Sequence, residues 1–136
     1  MMDSGTGFAD LNGGGMSIPA LVCVVDDDES VREALSGLLE AEGYGVEAYA
    51  SAEAFLASAD LARVDCLILD VRMPGLSGPE LQRELAVRRP GTSIVFITAQ
   101  ADERTCAKLR ASGAVDCLQK PFTSEALLAA VEAALQ

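Results

Sequence analysis

Short apolar runs alternate along the chain with segments in which apolar residues recur at helical spacing. The runs cover residues 21–25, 46–49, 66–69, 94–97 and 115–119. Short, β-branched runs bounded by helical patterns are typical of strands buried in a parallel sheet. The alternation of strand and helix repeats about five times. It predicts an α/β domain in which helices cover both faces of one parallel sheet.

Capping signals mark where several helices begin. Ser30 and Glu33, and again Ser77 and Glu80, have the spacing of a capping box, and Ser51 opens the helix between them. We expect the two remaining helices over residues 103–111 and 124–134. The first 17 residues differ from this pattern because they are rich in Gly, Asp and Ser. We interpret residues 1–17 as a disordered tail and residues 18–136 as the packed domain.

Four of the apolar runs lead into polar residues that carry a carboxylate, a hydroxyl or an amine. The first leads into Asp26, Asp27 and Asp28, and the others lead into Asp70, Thr98 and Lys120. The carboxyl ends of the strands in an open α/β sheet line the crevice where ligands bind. The pattern therefore predicts that carboxylates, a hydroxyl and an amine meet at one place. Such a group suits a divalent cation and a phosphoryl group.

The predicted carboxylate cluster needs a counter-charge. Two unit charges about 4 Å apart repel by about 4 kcal/mol at an effective dielectric constant near 20. Mg²⁺ prefers oxygen ligands, so Asp26, Asp27 and Asp70 are candidate ligands for it. Asp28 is better explained as a cap of the following helix.

Asp70 stands alone at the end of a strongly apolar run, which makes it a candidate nucleophile toward phosphorus. The transition state of phosphoryl transfer spreads charge over three equatorial oxygens. A metal ion, Lys120 and the Thr98 hydroxyl would together cover them. Lys120 or Thr98 alone would be weak evidence for phosphoryl chemistry. Together with the neighbouring aspartates they become stronger evidence.

Charge and composition exclude several classes of function. The chain has 10 basic and 21 acidic side chains and a formal net charge of -11, so we expect no direct contact with nucleic acid. No apolar stretch approaches the ~20 residues of a membrane span, and no secretory signal is present. We therefore expect a soluble, cytoplasmic protein. The four cysteines lack metal-ligand spacing and are interpreted as core residues rather than a zinc or redox site.

Four segments resemble the receiver domains of two-component response regulators. They are Val-Val-Asp-Asp-Asp-Glu at 24–29, Leu-Asp-Val-Arg-Met-Pro-Gly at 69–75, Phe-Ile-Thr-Ala at 96–99 and Lys-Pro-Phe at 120–122. Residues 51–56 and 113–116 further resemble receivers fused to helix-turn-helix transcription factors. The resemblance implies a doubly wound, flavodoxin-like (βα)5 fold with strand order 2-1-3-4-5.

The resemblance also implies a role for each site residue. Asp70 would accept a phosphoryl group from a sensor histidine kinase or a phosphotransfer protein, with assistance from Thr98 and Lys120. Mg²⁺ would be held by Asp26, Asp27 and Asp70 together with the main-chain carbonyl of Arg72. The side chains of Arg72 and Gln100 would flank the hydrolytic water, and the Lys120–Pro121 bond would be cis. The domain would promote its own phosphorylation and dephosphorylation without being an enzyme in the usual sense.

One residue departs from the family pattern. The family usually has Tyr or Phe three residues before the conserved lysine, and this chain has Cys117. A thiol has too little area to act as the aromatic switch that reshapes the surface of the fourth helix and fifth strand. The phosphoryl chemistry that the resemblance implies does not need this ring, whereas signal relay by the usual aromatic coupling does. We expect an output domain or effector protein as partner, either in a longer chain or in another protein, and homodimer formation on phosphorylation.

Three other functions fit parts of the pattern. A haloacid-dehalogenase-type phosphatase would use Asp26, Asp28, Thr98 and Lys120, but it gives Asp70 no role and lacks its final acidic pair. A flavodoxin-like flavin carrier would place a nucleotide phosphate against the three aspartates of the first loop, which would repel it. A phosphorylation-independent interaction module would not need the complete set of acids, Thr and Lys that this chain has.

Overall fold

The computed structural model describes residues 18–99 and 103–136. The predictions for residues 1–17 and for Gln100 lie outside these residues. The strands of the described chain are β1 Leu21–Val25, β2 Gly45–Tyr49, β3 Cys66–Asp70, β4 Ile94–Thr98 and β5 Asp116–Gln119. Its α-helices are α1 Glu29–Ala41, α2 Ala52–Ser58, α3 Gly78–Arg88, α4 Glu103–Ala111 and α5 Ser124–Ala134, with a short 3-10 helix at Leu61–Arg63.

The strands form one parallel sheet in the order β2-β1-β3-β4-β5. The strand order and the doubly wound flavodoxin-like architecture confirm the prediction from the sequence. None of the described helices is both long enough and apolar enough to cross a membrane.

Two apolar layers cover the two faces of the sheet. On one face α2, α3 and α4 contribute buried side chains that include Phe55, Leu81 and Leu109. On the other face α1 and α5 contribute Leu39 and Leu127, among others. β1, β3 and β4 are buried along their whole length because both faces are covered. The edge strands β2 and β5 remain partly accessible.

The N-terminal caps of α2 and α3 are those predicted from the sequence, whereas the capping box predicted for α1 does not form. Ser51 caps α2, and Ser77 forms the expected reciprocal capping box of α3 with Glu80. The cap of α1 is Asp28, whose carboxylate accepts the Ser30 N–H at 2.9 Å, so the predicted Ser30 capping box is wrong. The interpretation of Asp28 as the cap of this helix is confirmed, and its side chain reaches the N–H two residues ahead.

Candidate functional site

The register of the sheet brings the polar strand ends to one level. Val25 of β1 pairs with Leu69 of β3, so Asp26 and Asp70 follow neighbouring positions. Asp70 itself pairs with Ile97, which precedes Thr98, and Thr98 pairs with Gln119, which precedes Lys120. The expected convergence of these four residues therefore follows from an unbroken parallel register.

Three carboxylates lie together at this edge. Asp26, Asp27 and Asp70 each place a carboxylate oxygen within 4.8 Å of the others. Asp26 is fully buried and Asp70 is buried, whereas Asp27 is exposed. Asp27 makes no hydrogen bond or ion pair with the residues that the structure describes. Its carboxylate is thus available to a ligand from solvent.

Lys120 pairs with the buried part of the cluster. Its Nζ lies 3.0 Å from Asp26 Oδ2 and 4.0 Å from Asp70 Oδ2. The Lys120 backbone N–H donates to the carbonyl of Thr98 at 2.8 Å, and the Lys120–Pro121 bond is cis as expected. The side chain of Thr98 is buried at the end of β4. The Lys120 ammonium therefore lies beside two of the three clustered carboxylates.

Hydrogen bonds fix the side chain, the backbone N–H and the carbonyl of Asp26. Its Oδ1 accepts the Asp28 N–H at 2.9 Å, and its backbone N–H donates to the carbonyl of Tyr49 at 3.2 Å. Arg32 Nη1 donates to the Asp26 carbonyl at 2.8 Å. Arg32, on the first turns of α1, is a supporting residue that sequence reasoning missed. The contact is made to a backbone carbonyl six residues earlier, so the sequence carries no signal for it.

The pKa of the Asp70 carboxyl is raised by some of its neighbours and lowered by others. Burial and, to a lesser extent, the charge of Asp26 raise the pKa of its carboxyl, and the net result is a pKa of about 6 instead of 3.8. The Lys120 ammonium and the Arg72 N–H, which donates to Asp70 Oδ1 at 3.4 Å, act in the opposite direction. The carboxyl therefore remains mostly ionised at neutral pH, at a substantial cost in electrostatic free energy.

The loop after Asp70 is anchored by a residue from another helix. Glu53 of α2 accepts the Leu76 N–H at 2.9 Å, next to Gly75, whose backbone has a φ of 76°. A side chain on Gly75 would approach Glu53 Oε2 to 2.5 Å. Glu53 is the second supporting residue that the sequence did not reveal, because the contact spans 23 residues.

The four cysteines differ from expectation in one respect. All four are buried, as the core interpretation predicts. However, Cys106 and Cys117 form a disulfide, a covalent pairing that the core interpretation did not include. The pairing follows from the packing of α4 against β5, which places the two Cα atoms 5.4 Å apart across 11 residues.

Comparison with known proteins gives a consistent result. The family model described as "Response regulator receiver domain" matches residues 22–132. The response regulator protein TodT of Pseudomonas putida strain F1 is 42% identical over 117 residues, which cover 86% of this chain and 52% of TodT. The transcriptional regulatory protein FixJ of Azorhizobium caulinodans is 42% identical over 114 residues, covering 84% of this chain and 54% of FixJ.

Solved structures agree with the sequence relatives. The crystal structure of FixJ-N superposes with a TM-score of 0.78 at 38% identity, covering 88% of this chain and 95% of that one. The present chain spans about half the length of the curated relatives it matches.

Proposed function

Because the chain belongs to the response regulator receiver domain family, we propose that Asp70 is its phosphoacceptor and that Mg²⁺ assists the transfer. The observation that carries the proposal is the convergence of Asp26, Asp27 and Asp70 within 4.8 Å beside the Lys120 ammonium. Membership of this family disfavours the phosphatase and flavin-carrier alternatives.

In the proposed reaction an Asp70 carboxylate oxygen attacks the phosphorus of a phosphohistidine on a sensor histidine kinase or phosphotransfer protein. The O–P bond forms, the P–N bond breaks, and the imidazole leaves with the electron pair of that bond. With its pKa near 6, about nine-tenths of Asp70 is ionised at pH 7 and available to attack. Lys120, 4.0 Å away, provides positive charge for the phosphoryl oxygens, and the Thr98 hydroxyl is proposed to bind one of them.

The donor set fits Mg²⁺. The three clustered groups are hard oxygen ligands, and the chain has no histidine to favour a transition metal. We propose that Asp26, Asp27, Asp70 and the main-chain carbonyl of Arg72 hold the ion. When bound, it offsets the carboxylate charge and supplies positive charge to the phosphoryl oxygens.

A receiver domain is not an enzyme in the usual sense, and its own site would promote both gain and loss of the phosphoryl group. We propose a cytoplasmic protein whose phosphorylation changes contacts with an output domain or effector, with a homodimer as one outcome. TodT and FixJ are named as regulators, and FixJ as a transcriptional one. Transcriptional control is therefore our proposal for a whole protein that contains this domain.

The direct test is intact mass after incubation with acetyl phosphate and Mg²⁺. We expect one phosphoryl adduct on the wild type, none after Asp70→Asn, and none in the presence of EDTA. Asp28→Asn is the matched control, because asparagine also caps helices and Asp28 lies outside the cluster. An unlabelled but folded wild type would favour the phosphorylation-independent interaction module.

The metal proposal has a separate test by calorimetric titration of Mg²⁺. We expect Asp27→Asn to weaken Mg²⁺ binding by at least about tenfold, since one of three carboxylates loses its charge and neighbouring charges interact by several kcal/mol. Asp27 is exposed, so the fold should be unchanged within about 0.5 kcal/mol. Equal affinity in Asp27→Asn and Asp28→Asn would remove Asp27 from the ligand set.

A further inference from the structure

Cys106 of α4 and Cys117 of β5 are joined by a disulfide away from the acidic cluster. Their Cα separation of 5.4 Å lies within the range that a disulfide bridges without moving the backbone. Cys23 and Cys66 are fully buried, unpaired and on opposite faces of the sheet. Burial raises the pKa of each of these two thiols to about 12, so neither forms a reactive thiolate near neutral pH.

Helix α4 buries few side chains against the sheet. Of its nine residues only Cys106 and Leu109 are buried. Arg110 adds contacts to Asp116 at 3.4 Å, to Glu103 at 3.3 Å and to the Cys117 carbonyl at 3.3 Å. These side chains are at least 40% exposed, so such ion pairs contribute little. Segments with few buried apolar contacts open most readily.

We propose that Cys106 and Cys117 are a reversible thiol–disulfide redox site whose state sets how firmly α4 is held on β5. The reactant is a low-molecular-weight thiol of the glutathione class, together with its disulfide. Opening of α4 would expose the buried sulfurs to this reactant. In a reducing compartment a disulfide of this kind is expected to be transient rather than structural.

The exchange balances in two steps. A small thiolate attacks one sulfur of the Cys106–Cys117 bond, which forms a mixed disulfide and releases the other cysteine as thiolate. A second small thiolate attacks the sulfur of the first small molecule, which yields the small disulfide and releases the second cysteine. Two small thiols are thereby oxidised, two electrons reduce the protein disulfide, and the released thiolates take protons from water. Oxidation of the protein is the reverse sequence.

The site is separable from the proposed phosphoryl chemistry. Cys117 precedes Lys120 by three residues, but neither cysteine belongs to the acidic cluster. Labelling by acetyl phosphate therefore serves as a check of the fold and the acidic site in each redox state. Failure of the redox proposal would leave that labelling unaffected.

The experiment equilibrates the native chain with mixtures of reduced and oxidised glutathione, then alkylates free thiols in denaturant and measures intact mass. We expect two fewer alkylated thiols at the oxidising end, full reversal at the reducing end, and a linked peptide pair containing Cys106 and Cys117. Amide hydrogen exchange in α4 should be at least about tenfold faster in the reduced wild type, because the covalent link to β5 is lost.

Two variants and one control complete the design. Cys106→Ser and Cys117→Ser should each abolish the two-thiol transition, while Cys66→Ala should keep it. The comparison of amide hydrogen exchange uses the wild type alone, so it remains valid even if a variant folds poorly. The proposal is overturned if the wild type shows no two-thiol transition, or if its disulfide resists excess reduced glutathione. It is also overturned if the transition survives in Cys106→Ser, or if amide hydrogen exchange in α4 is equally fast in the oxidised and reduced wild type.

Discussion

Gly78→Ala is expected to destabilise the domain by about 3 kcal/mol, the upper end of what overpacking usually costs. Gly78 is the first residue of α3, and its N–H donates to the Val71 carbonyl at 3.1 Å. A Cβ there would overlap the Asp70 carbonyl oxygen and lie 3.1 Å from Val71 Cα and 3.0 Å from the ring of Phe96. Two of these neighbours are backbone atoms, so no rotamer change relieves the contact.

The measurement is urea denaturation of wild type and variant, supported by a fall in Tm of roughly 10 °C. Gly37→Ala is the matched control, because Gly37 lies inside α1 and an added Cβ meets nothing within 4 Å. That variant should gain about 0.5–1 kcal/mol from helix propensity. A Gly78→Ala protein as stable as wild type would mean that the β3–α3 loop can move away from α3.

The same contact connects stability with the site. The atom that the new Cβ would displace is the carbonyl of Asp70 itself. A shift there moves the carboxylate relative to Asp26 and Lys120, whose spacing underlies the proposed chemistry. We therefore expect phosphoryl labelling of any folded Gly78→Ala protein to be slower than that of Gly37→Ala.

The convergence of the site was predictable because it depends on a simple rule. Strands that are parallel and in register end at one edge, so Asp26 and Lys120 meet across 94 residues. The polar residue after each apolar run was enough to identify them. Capping of α3 was predictable for a similar reason, since Ser77 and Glu80 satisfy each other locally.

Features that depend on packing between elements were not predictable. Cys106 and Cys117 are 11 residues apart with no diagnostic spacing, and it is the packing of α4 against β5 that brings them close together. Arg32 and Glu53 support the site through backbone groups, which leave no trace in a side-chain pattern. The raised pKa of Asp70 likewise depends on its depth of burial, which the sequence does not state.

Burial of Asp70 leads to the second large expected effect, on stability in metal-free protein. The pKa of Asp70 is about 6 in the folded domain, against an ordinary value of 3.8. The folded state thus keeps this proton at a pH where the unfolded chain has lost it. Stability attributable to Asp70 therefore falls as pH rises from about 4 to about 6, and stays low above that. One pKa unit corresponds to about 1.4 kcal/mol, so the full loss is roughly 3 kcal/mol.

Asp70→Asn removes this cost because the amide stays neutral. In EDTA at pH 7.5 we expect the variant to be more stable than wild type by up to roughly 3 kcal/mol, and the difference to shrink toward zero near pH 4. The measurement is urea denaturation across that range, with Asp28→Asn as the control for an exposed carboxylate that lies outside the acidic cluster. Mg²⁺ should narrow the gap at pH 7.5 by stabilising wild type preferentially. A variant less stable than wild type at every pH would mean that Lys120 outweighs burial, so that the Asp70 carboxylate stabilises the metal-free fold.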